Sequence, residues 1–188
     1  MTFAQQLADA FPEDADDAAT ALSWAKSQVE GYCGRKFDLV EDDVAIVDPY
    51  CGSSLLPSIP VVEISKVEGY LPTGNGMDWV ELTNYWFKRD TGLIFDTTGL
   101  PGSEWSTGHT WPWLPGSLRV TYTHGYNPVP DELIDVAIRL AREYQSNPEL
   151  LVSKQVGEIE RRFGSVAGTS LSKADQAILD RYVIATLA

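Results

Sequence analysis

The stretch "LRVTYTHGYNPVPDELIDVAIRLA", beginning at Leu118, constrains this chain more than any other. Leu118, Val120 and Tyr122 alternate with Arg119, Thr121 and Thr123, which predicts a strand with one buried and one polar face. Gly125 permits a backbone reversal, and Asn127 and Pro128 favour an extended exit. Pro130 suits the first turn of a helix, with Asp131 and Glu132 complementing its dipole. Leu133, Ile134, Ala137, Ile138, Leu140, Ala141 and Tyr144 then recur at helical spacing in a stripe too broad for one-sided packing. The joint Tyr122, Gly125, Tyr126 and Pro130 therefore passes the chain from a sheet into the central helix of a small bundle.

The partner for that helix lies near the start. Ala18, Leu22, Ala25 and Val29 mark one face of a helix from Asp14 to Gly34, with Asp14 or Asp16 as N-cap and Gly34 as left-handed stop. A shorter helix is expected between Thr2 and Ala10, broken by Pro12. From Val44 to Thr123 the signals are β: "VAIVD", "VVEISKVEG", "WVEL", "YWFK" and "GLIFD" are short, β-branched or aromatic, and cut by Gly and Pro. Gly92 in "RDTG" stands where a bulged hairpin needs positive φ. The expected fold is α+β: a small antiparallel helical bundle over residues 1–147, with an antiparallel sheet inserted at about 44–123. A C-terminal arm and helix follow over 148–188, loosely tied from Ser153, with a last helix capped by Ser172 and Asp175.

Between Asp96 and Gly116 neither period holds, yet Trp105, Trp111 and Trp113 occur there. Aromatic residues are uncommon in disordered loops, so two readings stand: the indoles cover the chain's own sheet, or they meet another subunit. No apolar run reaches the roughly 20 residues of a membrane helix, and the first residues lack signal-peptide character, so a soluble chain folding in a cytoplasm is expected. Two cysteines, Cys33 and Cys51, are read as free thiols.

Chemistry is sparse. There is no phosphate loop ending in Lys and Ser or Thr, and no dinucleotide fingerprint. Cys33, Cys51, His109 and His124 contain no closely spaced pair of the kind zinc sites use, and His124 reads as a turn residue. A carboxylate pair such as Glu81 with Asp96, flanked by Trp79 and Trp86, could serve a sugar-cleaving or sugar-binding face, though charges on a half-exposed sheet are usually its solvated side. No cofactor and no catalytic residue set is expected. The formal net charge is −13, with 11 acids against 3 bases over residues 1–48, 7 against 4 over 49–130, and 9 against 7 over 131–188. Such a surface repels phosphate and argues against tight DNA binding, while suiting a passage through which DNA slides. Arg161 and Arg162 form one of the few adjacent basic pairs.

Three segments, in order, resemble one family. "ALSWAKSQVEGYCGRKFD", "SLRVTYTHGYNPVPDELIDVAIRLA" and "VGEIERRFG" followed by a last helix are similar to the head-to-tail connector, or adaptor, proteins of long-tailed bacteriophages. The likeness rests on the Tyr-Cys-Gly-Arg turn and Phe37. It rests also on Val120, Tyr122, Gly125, Tyr126, Pro130 and Leu133, and on Val156, Gly157, Glu158, Phe163 and Gly164. It implies a non-enzymatic virion neck protein assembled in a bacterial cytoplasm. Copies would form a ring, commonly dodecameric, beneath the portal, carrying the stopper or tail and letting DNA pass. Trp105, Trp111, Trp113, Arg161, Arg162 and Phe163 are candidate interface residues, and the acidic N-terminal region is a candidate lumen surface. The sheet from Val44 to Leu82 and the Trp segment are larger than the family requires. Outside the resemblance, a non-catalytic carbohydrate-binding β module remains an alternative, as does another neck role.

Overall fold

Residues 2–11, 16–74, 76–98, 111–146, 153–156, 159–162 and 171–183 are described by a computed structural model. In chain order the elements are α1 (Phe3–Ala10), α2 (Asp16–Cys33), β1 (Val40–Val47), β2 (Ser53–Leu55), β3 (Val61–Thr73), β4 (Gly76–Glu81) and β5 (Tyr85–Lys88). They continue with β6 (Leu93–Asp96), β7 (Leu118–His124), α3 (Asp131–Ser146), β8 (Ser153–Val156), β9 (Ile159–Arg162), α4 (Lys173–Leu179) and a 3₁₀ turn at Asp180–Tyr182. The fold is α+β, as expected. Two compact units divide it, residues 1–38 with 127–188, and residues 39–126. No described helix is long and apolar enough to cross a membrane.

In the helical unit, α2 and α3 form the main contact. Ala18, Ala21, Ala25, Val29 and Cys33 are the buried face of α2, and Leu133, Ile134, Val136, Ala137, Leu140 and Ala141 that of α3. Small residues on α2 let the larger α3 side chains sit close to its backbone. Helix α1 packs on both, burying Phe3 and Leu7, and its start is closed by a capping box of Thr2 and Gln5. Its expected span holds, while Pro12 and Asp14 lie outside the described residues. α2 ends as anticipated: Gly34 has φ +67°, and Arg35 N donates to the Glu30 carbonyl at 3.2 Å.

The last helix differs from the loosely tied arm expected of everything after Ser153. Leu179 is fully buried and Leu171 nearly so. Arg139 Nε donates to Asp175 Oδ1 at 3.1 Å, and Tyr32 Oη donates to Asp180 Oδ1 at 2.6 Å. Tyr182 and Arg181 both donate to Glu132. These contacts make α4 and its 3₁₀ turn part of the bundle. Ser172 is the N-cap, with Asp175 N donating to its Oγ at 3.1 Å, but Asp175 accepts from the Ser172 hydroxyl instead of its backbone, so the box is half formed.

In the β unit, strands in the order β1-β7-β3-β4 form one antiparallel sheet and β2-β6-β5 a second. Ala45, Val61, Ile64, Val67, Leu118, Val120 and Tyr122 from the larger sheet pack with Leu56, Leu82, Ile94 and Trp111. β7 lies between β1 and β3, and its burial alternates throughout. β1 begins four residues before the expected Val44, with an irregularity between Val40 and Asp43 where Asp42 has φ +51°. β5 and β6 form the expected hairpin. Gly92 has φ +66° and donates to the Lys88 carbonyl at 3.0 Å.

β8 and β9 pair with each other as a separate two-stranded sheet where the sequence showed no clear period.

Candidate assembly surfaces

The joint after β7 is pinned at both ends. Gly125, at φ +101°, donates its N–H to the Pro60 carbonyl at 3.0 Å, fixing the end of β7 beside the start of its neighbour β3. Downstream, Val129 N donates to Gln6 Oε1 at 2.9 Å and its carbonyl accepts from Gln6 Nε2 at 3.4 Å, so α1 holds the lead into α3. The Pro130 carbonyl accepts from Leu133 and Ile134, which places Pro130 just ahead of the first turn instead of inside it. The Asn127–Pro128 peptide is cis and residues 127 and 128 bend, where an extended exit was expected. Tyr122 is fully buried and Tyr126 half-buried. His124, expected as a turn residue, is the last residue of β7. It is buried, 5.0 Å from the Tyr122 ring, with Nε2 3.1 Å from Asp43 Oδ2. The alternation that buries Leu118, Val120 and Tyr122 runs one step further than the hydropathy pattern indicates.

The larger sheet carries a polar and aromatic row on the face away from the core. Register places Ile46, Arg119, Glu68 and Glu81 side by side across β1, β7, β3 and β4. Arg119 Nε donates to Glu68 Oε2 at 2.8 Å and Lys66 Nζ to Oε1 at 2.9 Å. These two hydrogen bonds, Arg119's the stronger cause, lower the Glu68 pKa to about 2. The Arg119 guanidinium also lies 4.5 Å from the Trp79 ring centre, and Trp79 lies 5.3 Å from Tyr70.

At the β1 end of this row the surface turns apolar. Val44 is 55% exposed and Ile46 61%. A shallow groove continues past Asp48 to Tyr50, Leu55 and Leu93. Tyr50 and Ser53 exchange both backbone hydrogen bonds across Cys51 (φ +49°) and Gly52 (φ +73°), a two-residue turn with both central residues left-handed. That turn leaves Tyr50 80% exposed. Beside the groove, Gly116 N donates to Asp48 Oδ1 at 2.6 Å.

The candidate interface residues separate. Trp111 is buried in the β-unit core, so the self-covering reading holds for it. Trp113, two residues on, is 83% exposed. Trp105 and Phe163 lie outside the described residues, as does His109. Arg161 and Arg162 are on β9, with Arg161 directly across from Lys154. Cys33 and Cys51 fall in different units: burial raises the Cys33 thiol pKa to about 11, and Cys51 is exposed. Glu81 and Asp96 stand on different sheets, and Asp96 Oδ1 accepts from Thr98 N at 2.7 Å, closing the turn after β6. Trp79 and Trp86 are likewise divided between the sheets, Trp86 lying 5.1 Å from Phe95, so the proposed sugar-facing set is not assembled on one sheet. Sequence reasoning missed Tyr50, Val44 and Ile46. For the first, Gly52 alone hinted at the turn, since Cys51 stands where Asn or Asp would mark it.

No family model matches the chain, and no curated protein matches it. Among solved structures, the chain is similar over 99% of its length, and 91% of the other chain, to a component of the "Neck of empty GTA particle computed with C6 symmetry". The TM-score is 0.56 at 13% identity. A component of the "Neck of native GTA particle computed with C12 symmetry" matches with TM-score 0.55 and 14% identity, over 98% of this chain and 89% of that one. A third likeness, TM-score 0.55 at 13% identity over 99% and 91%, is to a chain of the "Virion of native gene transfer agent (GTA) particle". At these identities the likeness is one of fold, and it extends through both units.

Proposed function

We propose that this chain is a structural subunit of the neck of a phage-like particle, and within the neck the head-to-tail adaptor. Copies close into a ring of about twelve beneath the portal, held by contacts between identical wedges. The ring offers a platform to the stopper or tail and an acidic passage for DNA, assembled in the host cytoplasm before incorporation into the virion. The observation that carries this reading is the end-to-end fold likeness to neck components of a gene transfer agent. The exposed Val44 and Ile46 on β1, with Tyr50 and Leu55 along the groove that Ile46 also lines, support it, because apolar residues of this size exposed close together are characteristic of assembly surfaces. The reading requires no bond to be made or broken.

The test is mass and symmetry of the purified chain, alone and with purified portal protein, together with cryo-electron microscopy of particles. A ring seated directly on the portal is expected. Contact only through an intervening ring would assign a stopper or tail-completion role instead. Absence of the chain from the neck of finished particles overturns the reading.

A further inference from the structure

We infer that the end of the β3–β4 hairpin in one copy seats on the outer face of the β2-β6-β5 sheet in the next copy. This rests on the reading of the chain as a ring subunit, and it names the surfaces that join one subunit to its neighbour.

The pairing of β3 with β7 ends at Gly69, whereas its pairing with β4 continues to Thr73 and Gly76. Past Gly69 the hairpin is a two-stranded ribbon, a form that is marginal in water without an apolar surface to rest on. Leu71 steadies one side of it by packing on the β-unit core. The other side is bare. Register sets Tyr70 opposite Trp79 and Pro72 opposite Met77, on the face that also carries Glu68 and Glu81. Tyr70, Pro72 and Met77 are exposed there. The outer face of the β2-β6-β5 sheet is bare in the same way. Ser54 and Ile94 are buried and Phe87 packs on the core, so Leu55, Leu93 and Lys88 stand side by side on the opposite face. Leu55 and Trp86 are exposed on it, and Ile46 and Tyr50 extend its apolar surface along the groove.

Charge selects the occupant. Two copies of a chain of net charge −13 repel each other, so they meet where acids are absent or are faced by a cation. The ribbon strip is uncharged from Pro72 and Met77 back to Tyr70 and Trp79. Glu68 behind them is already held by Lys66 and Arg119, which leaves Glu81 as the acid of this face. On the receiving face the row Leu55, Leu93 ends in Lys88. Neither Glu81 nor Lys88 forms an ion pair among the described residues. Met77 and Glu81 are roughly 13 Å apart along β4, and Leu55 and Lys88 roughly 10 Å apart across two strand spacings. Met77 seated against Leu55 therefore brings Glu81 within side-chain reach of Lys88. Met and aromatic residues are also those enriched at the centre of interfaces. β4 and β1 are the two outer strands of the larger sheet, and the groove begins at Ile46 on β1. Donor and acceptor thus lie toward opposite edges of one sheet, so the contact is heterologous, the kind that generates a ring when its rotation closes.

The experiment uses full-length variants at exposed positions. Met77→Asp charges the ribbon and Leu55→Asp charges the receiving face. The wild-type chain should self-associate in sedimentation, and each variant should do so at least about tenfold more weakly, with thermal unfolding unchanged. Mixed together, the two variants should form a one-to-one heterodimer and stop there, because one retains an intact receiving face and the other an intact ribbon. A second measurement exchanges the charges. Glu81→Lys and Lys88→Glu should each weaken association about two- to fivefold, and the two in one chain should restore it.

Unaltered association of either Asp variant overturns the inference, as does a mixture that remains monomeric. A wild-type chain that stays a monomer at its solubility limit, or a charge exchange in which the two losses add, overturns it too. None of these outcomes touches the neck reading, which fails only if the chain is missing from the neck.

Discussion

Arg119 and Glu68 face each other across β7 and β3, joined by a 2.8 Å hydrogen bond on the outer side of the larger sheet. Lys66 binds the other Glu68 oxygen, so a single carboxylate links two cations and, through Arg119, the Trp79 ring. The folded pKa of Glu68 lies at about 2, below the ordinary 4.5. A depressed carboxylate pKa stabilises the fold above the unfolded value, and that contribution is lost as pH falls through the folded one. Glu68→Gln should therefore cost about 1 kcal/mol near neutral pH. The gap between wild type and variant should shrink between about pH 4.5 and pH 2. Urea unfolding at pH 7 and pH 3 checks both; a gap that widens in acid would mean the pair is not formed.

Gly92 and Gly116 share φ +66° but not surroundings. A Cβ on Gly92 would lie 2.8 Å from Ile59 Cγ2 and 3.0 Å from the Leu56 carbonyl oxygen, whereas on Gly116 it would meet only Ile46 Cγ2 at 3.8 Å. Gly116→Ala should cost about 1 kcal/mol, the left-handed strain alone. Gly92→Ala should cost at least about 2 kcal/mol, since strain and overlap add. Equal losses in thermal unfolding would refute the turn geometry.

Trp111 and Trp113 should divide stability from association. Trp111→Ala removes a buried indole and should destabilise the folded chain by about 3–5 kcal/mol. Trp113→Ser should leave unfolding within about 0.5 kcal/mol of wild type, as for exposed positions generally. Only its effect on assembly, read by light scattering, would assign Trp113 a contact.

What the sequence made legible follows from where period and backbone coincide. Helices α1, α2 and α3 and strand β7 announced themselves because their apolar residues repeat at the spacing of the element that buries them. Gly34, Gly92 and Gly125 marked their turns because positive φ demanded them. The contacts that fix α4 were less visible: Arg139 to Asp175 and Tyr32 to Asp180 are polar pairs far apart in the chain, and hydropathy does not encode them. β2 is three residues long, and the turn before it uses Cys51 where Asn or Asp would have given a recognisable signal. The Lys154, Gln155, Glu160 and Arg161 positions hide the β8–β9 pairing because charged and polar residues carry no two-residue apolar rhythm. Trp111 and Trp113 show the same limit, since residues of one type two positions apart are buried and exposed.

The thiols give a test of the bundle that needs no mutation. Cys33 is buried, its Sγ 3.8 Å from the Leu179 carbonyl, and burial holds its pKa at about 11. Cys51 is exposed at a turn. A thiolate-specific reagent at pH 8 should label one cysteine per folded chain rapidly and the second only on opening of the bundle.

Removal of the last helix should expose that thiol. Leu179 is fully buried, and Leu→Ala at such a site costs about 2–5 kcal/mol. Truncation after Asn147 removes Leu171, Leu179 and the partners of Arg139, Tyr32 and Glu132 together. The shortened chain should lose cooperative unfolding of the helical unit and label Cys33 as fast as Cys51. A truncated chain with wild-type stability and a protected Cys33 would return α4 to the status of a detachable arm.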